Sequence, residues 1–144
     1  MSEISAGGVH IGRGRLWAGR IISALPVLGL VFGAVGKLRG QAEVMEMFTG
    51  HFGYPQQTLT IIGVLELSCA VLYAIPQTAV LGAILMTGYL GGAVATHVRV
   101  SETAWVFAAV LGGLAWLGLY LRDPRLGELL PLRRLPSART SGNP

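Results

Sequence analysis

Charge is what this chain has least of. Only 12% of its 144 residues are Asp, Glu, Lys or Arg, about half of the ~25% that a soluble domain carries. A solvated globular surface cannot be built from so few, and the 52% hydrophobic content points the same way. Cysteine is scarcer still. Cys69 stands alone, which excludes an intrachain disulfide, a dithiol couple and a cysteine-rich metal site. It lies within an apolar run and reads as a small hydrophobe. Catalytic signatures are missing as well. The glycines from Gly8 to Gly14 follow no strand and carry no phosphate-loop lysine. There is no supportable Ser–His–acid arrangement, no arginine-rich gating helix and no ion-selectivity motif. No metal site is expected: His51 and His97 are the only imidazoles on one side, and Glu43 and Glu46 join them at no specific spacing. The formal net charge of +4 sits at the ends of apolar segments. The positive-inside rule and anionic lipid account for it there, so nucleic acid is not an expected partner.

What is abundant is glycine, at 21 residues, and long apolar runs. The stretch from Gln77 to Arg99 has no charged residue between Thr78 and Thr96. At ~1.5 Å per residue it can cross a ~30 Å hydrocarbon core. Gly88, Gly92 and Thr96 recur every fourth residue, the spacing that lets membrane helices approach closely. They are expected to pack inside a bundle.

Taken in order, residues 1–15 read as a disordered basic tail, and residues 16–122 as one transmembrane domain. The run from Ile21 to Gly36 exceeds a usual signal core and lacks a small-x-small cleavage end before Lys37. It is therefore read as a retained first span, from about Trp17 to Gly36, with Pro26 placed to kink it. Gly29, Gly33 and Lys37 share one face of it. Between Gln41 and Phe48, Val44, Met45 and Phe48 alternate with Glu43 and Glu46 as in a short interfacial helix. Phe52 and Tyr54 are expected at headgroup depth. The second span covers Thr58 to Ile75 and stops at Pro76, and the third ends at His97 or Arg99. Ser101 or Thr103 is the expected cap of the last span, Ala104 to Leu121, with Trp105, Trp116 and Tyr120 as belt aromatics. Residues 123–144 read as a basic tail, with one interfacial turn in LGELLPL.

The predicted fold is all-α: an integral membrane four-helix bundle, up-down-up-down, with a short interfacial helix after the first span. Arg13, Arg15 and Arg20 precede the first span and five arginines follow the last. The opposite side mixes Lys37, Arg39 and Arg99 with Glu43, Glu46 and Glu102. Both termini are therefore expected in the cytoplasm.

Glu66 is the one ionisable residue well inside a span. Burying a carboxylate in hydrocarbon is costly, so it should face the bundle and find a polar partner. Counting about eight residues inward from the span ends puts Tyr89 at its depth, with Gly29 and Gly112 on the other helices. A polar pocket of Glu66, Tyr89 and Thr87 follows. A structural hydrogen bond from Glu66 to Tyr89 or Thr87 is the leading reading. The functional one is an acid that handles a proton or anchors a quinone-like, lipid-soluble molecule. Lys37, His97 and Arg99 belong to an outer rim with Arg39, Glu43, Glu46, His51 and Glu102, read as a solvated, salt-bridged surface. Lys37 is expected to snorkel, because its depth differs from that of Glu66 by roughly 12 Å.

The segments FGAVGKLRG (Phe32 to Gly40), HFGYP (His51 to Pro55), GVLEL (Gly63 to Leu67) and above all IPQTAVLGAILMTGYLGGAVATHVR (Ile75 to Arg99) carry a family resemblance. The chain resembles the DoxX-like family of small bacterial four-helix membrane proteins. The resemblance implies the bacterial inner membrane and an accessory or subunit role in a redox or quinone-linked process, with quinone as the implied cofactor. The alternative is a structural or partner-binding bundle without activity of its own. Membrane lipids are expected partners. A protein partner in a redox complex and further copies of the chain are the open choices beyond them. The resemblance carries over no catalytic set.

Overall fold

The computed structural model describes residues 12–126. Most of both expected tails, and the LGELLPL turn beyond Leu126, lie outside the described residues. The described chain is helical, with no strand among its residues. It forms α1 (Arg13–Leu38), the short α2 (Ala42–Glu46), a π-helical turn (Met47–His51), α3 (Gln56–Ala74), α4 (Ala79–Arg99) and α5 (Trp105–Arg122). Four of these, α1, α3, α4 and α5, are long and apolar enough to cross a membrane. They form a ring in which each packs on two neighbours, in the order α1, α3, α4, α5 and back to α1. Successive spans alternate in direction, so each neighbouring pair in the ring, α5 and α1 included, is antiparallel. The chain is thus an up-down-up-down membrane bundle, with its short helix after the first span.

Large apolar side chains face outward and small ones inward. Trp17, Ile21, Leu28 and Phe32 on α1 are exposed, as are Ile61, Leu81, Ile84, Phe107 and Val110 on the other spans. The interior holds Ala34, Ala70, Ala83, Ala115 and Cys69 around Leu30, Tyr73, Met86 and Leu119. Lipid covers such an outer surface at no cost, whereas small interior residues let helix backbones approach.

The closest approaches are not where the sequence placed them. A methyl group on Gly82 would strike the backbone of Leu72 and Tyr73. One on Gly19 would lie 2.9 Å from the Arg122 nitrogen, and one on Gly118 2.8 Å from the Ser23 nitrogen. Gly19 and Ser23, four apart and facing Gly118, form the small-residue contact between α1 and α5. Gly88 and Gly92, expected in that role, are exposed, with nothing within 4 Å of an added methyl. The buried face of α4 is Ala79, Gly82, Ala83, Met86 and Leu90. Residues two positions on from Met86 and Leu90 point ~200° away from it.

The element boundaries also differ in detail. α1 starts at Arg13, inside the expected tail, and runs through the buried Pro26 as one helix. Ala104, not Ser101 or Thr103, caps α5, without a side-chain bond. Ser101 has another task. It takes a left-handed backbone (φ 59°) just past α4. Its N–H bonds the Val98 carbonyl and the Glu102 N–H bonds the His97 carbonyl, both at 3.0 Å. This pairing closes a helix C-terminus and folds the next residue back on the last turn. Gly40 (φ 61°) closes α1 in the same way, in a conformation glycine adopts without steric cost.

Candidate functional site

The polar centre of the bundle is an ion pair. Lys37 Nζ lies 2.8 Å from Glu66 Oε2, and their side chains are only 9% and 7% exposed. Lys37 therefore does not snorkel to the interface. The expected depth gap closes because helix side chains lean toward the helix N-terminus. α1 arrives at this end and α3 departs from it, so Lys37 leans into the bundle while Glu66 leans up to meet it. Lys37 Nζ also donates to the Gly33 carbonyl at 3.3 Å, and the Phe48 ring covers it with its centroid at 5.2 Å. Gly33, one turn from the expected Gly29, makes room for the acid: an added methyl would sit 2.7 Å from Glu66 Oε1. Gly29 packs instead against Leu111.

Tyr89 is the next polar group facing Glu66, within reach of a side-chain interaction with its carboxyl. Thr87 is elsewhere. Its hydroxyl donates to the Ala83 carbonyl and accepts from Trp116 Nε1, both at 2.8 Å. Two residues along a helix turn ~200°, so Thr87 and Tyr89 cannot share a pocket. The same bond holds Trp116 against α4.

Tyr89 lines a groove of about 350 Å³ between α3 and α4. Ile62 and Leu65 form one wall, and Gly88, Gly92 and Ala93 the other. Thr96 and His97 stand on the same strip of α4 nearer its end, under Phe48, Phe52 and Tyr54 of the segment between α2 and α3. The open stripe at Gly88 and Gly92 is thus a wall of this groove rather than a helix contact.

The covering segment is clasped to the end of α4. Glu102 bridges two histidines, with Oε2 2.6 Å from His97 Nδ1 and Oε1 2.8 Å from His51 Nε2. The hydrogen bond with His97 holds the Glu102 carboxyl below its usual range. Arg99 donates to the Phe52 carbonyl. The Tyr54 hydroxyl lies 2.8 Å from that of Thr96. Phe52 is 3% exposed, set edge-on to His97 at 5.2 Å. The π-helical turn ends at His51, and such turns recur at functional sites.

The rim residues Lys37, His97 and Arg99 therefore separate. Lys37 belongs to the buried pair, and the other two to the clasp. Sequence reasoning set Glu102 on the outer rim with His51 and His97, but not at the centre of a clasp. The signal was a small polar residue, Ser101, just past the last turn of α4, which folds Glu102 back onto His97. Among the described residues, no three His, Cys, Asp or Glu side chains gather as a metal-holding group. Chemically, the site offers an apolar slot, a phenol and an imidazole along its wall, and a buried ion pair beside it.

No curated protein and no solved structure matches this chain. The profile of the DoxX-like family matches residues 21–118. That span takes in the ion pair, the groove and the clasp, and more than half of the chain. With four apolar spans arranged as described, the chain is a small multi-pass membrane protein that belongs to the DoxX-like family.

Proposed function

We propose that this protein holds a lipid-soluble, quinone-like molecule in the α3–α4 groove, as an accessory component of a redox-linked process in the bacterial inner membrane. The observation that carries the reading is the composition of the groove. Its walls are apolar, and its polar groups, Tyr89, Thr96 and His97, lie along one strip of α4. A molecule with an apolar body and carbonyl oxygens finds burial for the first and donors for the second. The Tyr89 phenol can donate to a carbonyl. The Lys37–Glu66 pair behind it holds two opposite charges beside the slot. Both termini are assigned to the cytoplasm, since among the described residues Arg13, Arg15, Arg20, Arg122 and Arg125 share one end of the bundle with the single acid Asp123. The groove mouth then opens toward the other face.

Titration of the nanodisc-embedded protein with a short-chain quinone, read by quenching of its tryptophan and tyrosine fluorescence, tests this. Saturable binding is expected, and Ala93→Trp, which fills the slot, should abolish it while the protein still folds. Equal quenching of both proteins would remove the groove from consideration. A second reading rests on the open face at Gly88 and Gly92: a partner helix seated there would make the bundle a binding module without chemistry of its own. A protein that copurifies with wild type and is lost with Gly92→Leu would favour it.

A further inference from the structure

The arginine-rich end of the bundle carries groups that the groove does not use. A cleft of about 200 Å³ opens there between α1, α5 and the α3–α4 turn. Its floor is apolar, with Leu16, Ala79 and Leu119. Arg20 and Arg122 are its two cations, and Asp123 its acid. Arg122 is held in place. One of its nitrogens donates to the Tyr73 carbonyl at 2.8 Å, and its guanidinium lies 4.7 Å from the Tyr73 ring centre. A guanidinium has five N–H donors, so this bond leaves most of them for a ligand. Arg20 is exposed and stacks on Trp17 at 5.6 Å. It makes no hydrogen bond among the described residues. Asp123 is turned to its own chain, accepting from the Arg125 N–H at 3.0 Å.

We infer that this cleft binds the phosphate of an anionic phospholipid, with Arg20 and Arg122 on the phosphate oxygens and the upper acyl chain on Leu16 and Pro76 at its apolar rim. Two observations favour a lipid over a soluble anion. The cations stand above an apolar floor, which a free phosphate cannot use. The neighbouring face of α1, with Trp17 and Ile21 60% and 64% exposed, is continuous with the lipid-facing surface. The charge balance of the two ends agrees. Among the described residues, Arg13, Arg15, Arg20, Arg122 and Arg125 stand with one acid, Asp123, at this end, while at the other Lys37, Arg39 and Arg99 are matched by Glu43, Glu46 and Glu102. Basic pockets between spans on the cytoplasmic side take such headgroups, and guanidinium forks match phosphate geometry.

The full chain in nanodiscs of equal parts phosphatidylglycerol and phosphatidylcholine, released into a native mass spectrometer, gives the ratio of lipids retained. Wild type should retain phosphatidylglycerol preferentially. Arg20→Gln should lower that preference about five-fold, the equivalent of ~1 kcal/mol for one arginine near an anionic surface. Arg20→Lys should recover most of it. Arg13→Gln, at the same end but outside the cleft, should leave it unchanged. No preference in wild type overturns the site. Equal losses for Arg13→Gln and Arg20→Gln also overturn it, because they mean diffuse attraction. Displacement of the lipid by millimolar inorganic phosphate assigns the cleft to a soluble anion and overturns the lipid.

Discussion

Lys37 and Glu66 meet at 2.8 Å inside the bundle because their side chains lean toward each other along antiparallel helices. The pair joins α1 to α3 beneath Phe48, beside the groove that Tyr89 lines. It is the point at which the fold and the candidate site depend on the same atoms.

Removing one partner should cost more than removing both. Glu66→Gln leaves the Lys37 ammonium buried without a counter-ion, and breaking a buried pair this way costs about 3–5 kcal/mol. The double variant Lys37→Met, Glu66→Leu carries no stranded charge and should recover much of that stability. Unfolding in detergent, followed by temperature or denaturant, measures the difference. A double variant as unstable as the sum of the two single ones would mean that the pair is not coupled.

The two classes of glycine in α4 should respond in opposite ways. Gly82→Ala forces a methyl into the backbone of Leu72 and Tyr73, and overpacking of this kind costs about 1–3 kcal/mol. Gly92→Ala meets open space, and the ~1 kcal/mol by which helices favour Ala over Gly works in its favour. Melting temperatures in one detergent compare them directly. A loss at Gly92 matching that at Gly82 would place Gly92 in a helix contact.

Tyr73 ties three spans together. Its hydroxyl on α3 bonds the Ala115 carbonyl of α5 at 2.6 Å and the Ser23 hydroxyl of α1 at 3.0 Å. Tyr73→Phe strands both partners in a buried setting, at about 1–3 kcal/mol. A Tyr73→Phe protein as stable as wild type would show that the three-way contact contributes no net stability.

The clasp should loosen in acid. Glu102 has its carboxyl held below the usual range, first by the hydrogen bond with His97. A depressed carboxyl contributes stability above its unfolded-state value and loses it as pH falls through the folded-state value. Hydrogen exchange across residues 47–54 should therefore stay slow at neutral pH and quicken in the acid range below ordinary carboxylates. Glu102→Gln should exchange faster at neutral pH and lack that acid step. The same acid profile in both proteins would assign the step to another group.

The four spans were legible because hydropathy is a property of one segment at a time: a run without charge must sit in lipid wherever its neighbours are. The chain reversal at Pro76, before Ala79, and the charge difference between the two ends were legible for the same reason. That Glu66 needed an interior partner also followed from desolvation alone. Which partner it found did not. Counting residues gives the depth of a Cα, whereas Lys37 and Glu66 meet through side-chain lean, which adds or cancels only when two helices are set antiparallel. The Gly88, Gly92 and Thr96 stripe shows the same limit. A spacing of four tells which residues share a face, but the face that meets a neighbour depends on how α4 is rotated. That rotation was decided by Gly82 against Tyr73 and by Met86 and Leu90 in the core. The bridging role of Glu102 on the rim was hidden for a third reason. Its place beside His97 and His51 comes from the left-handed turn at Ser101 and from a loop about fifty residues away in the chain. The sequence thus determined that this is a membrane bundle with one acid to satisfy. Pairwise geometry, which only the packed tertiary structure has, decided that the acid meets Lys37, that the glycine stripe opens as a groove, and that Glu102 closes the segment over it.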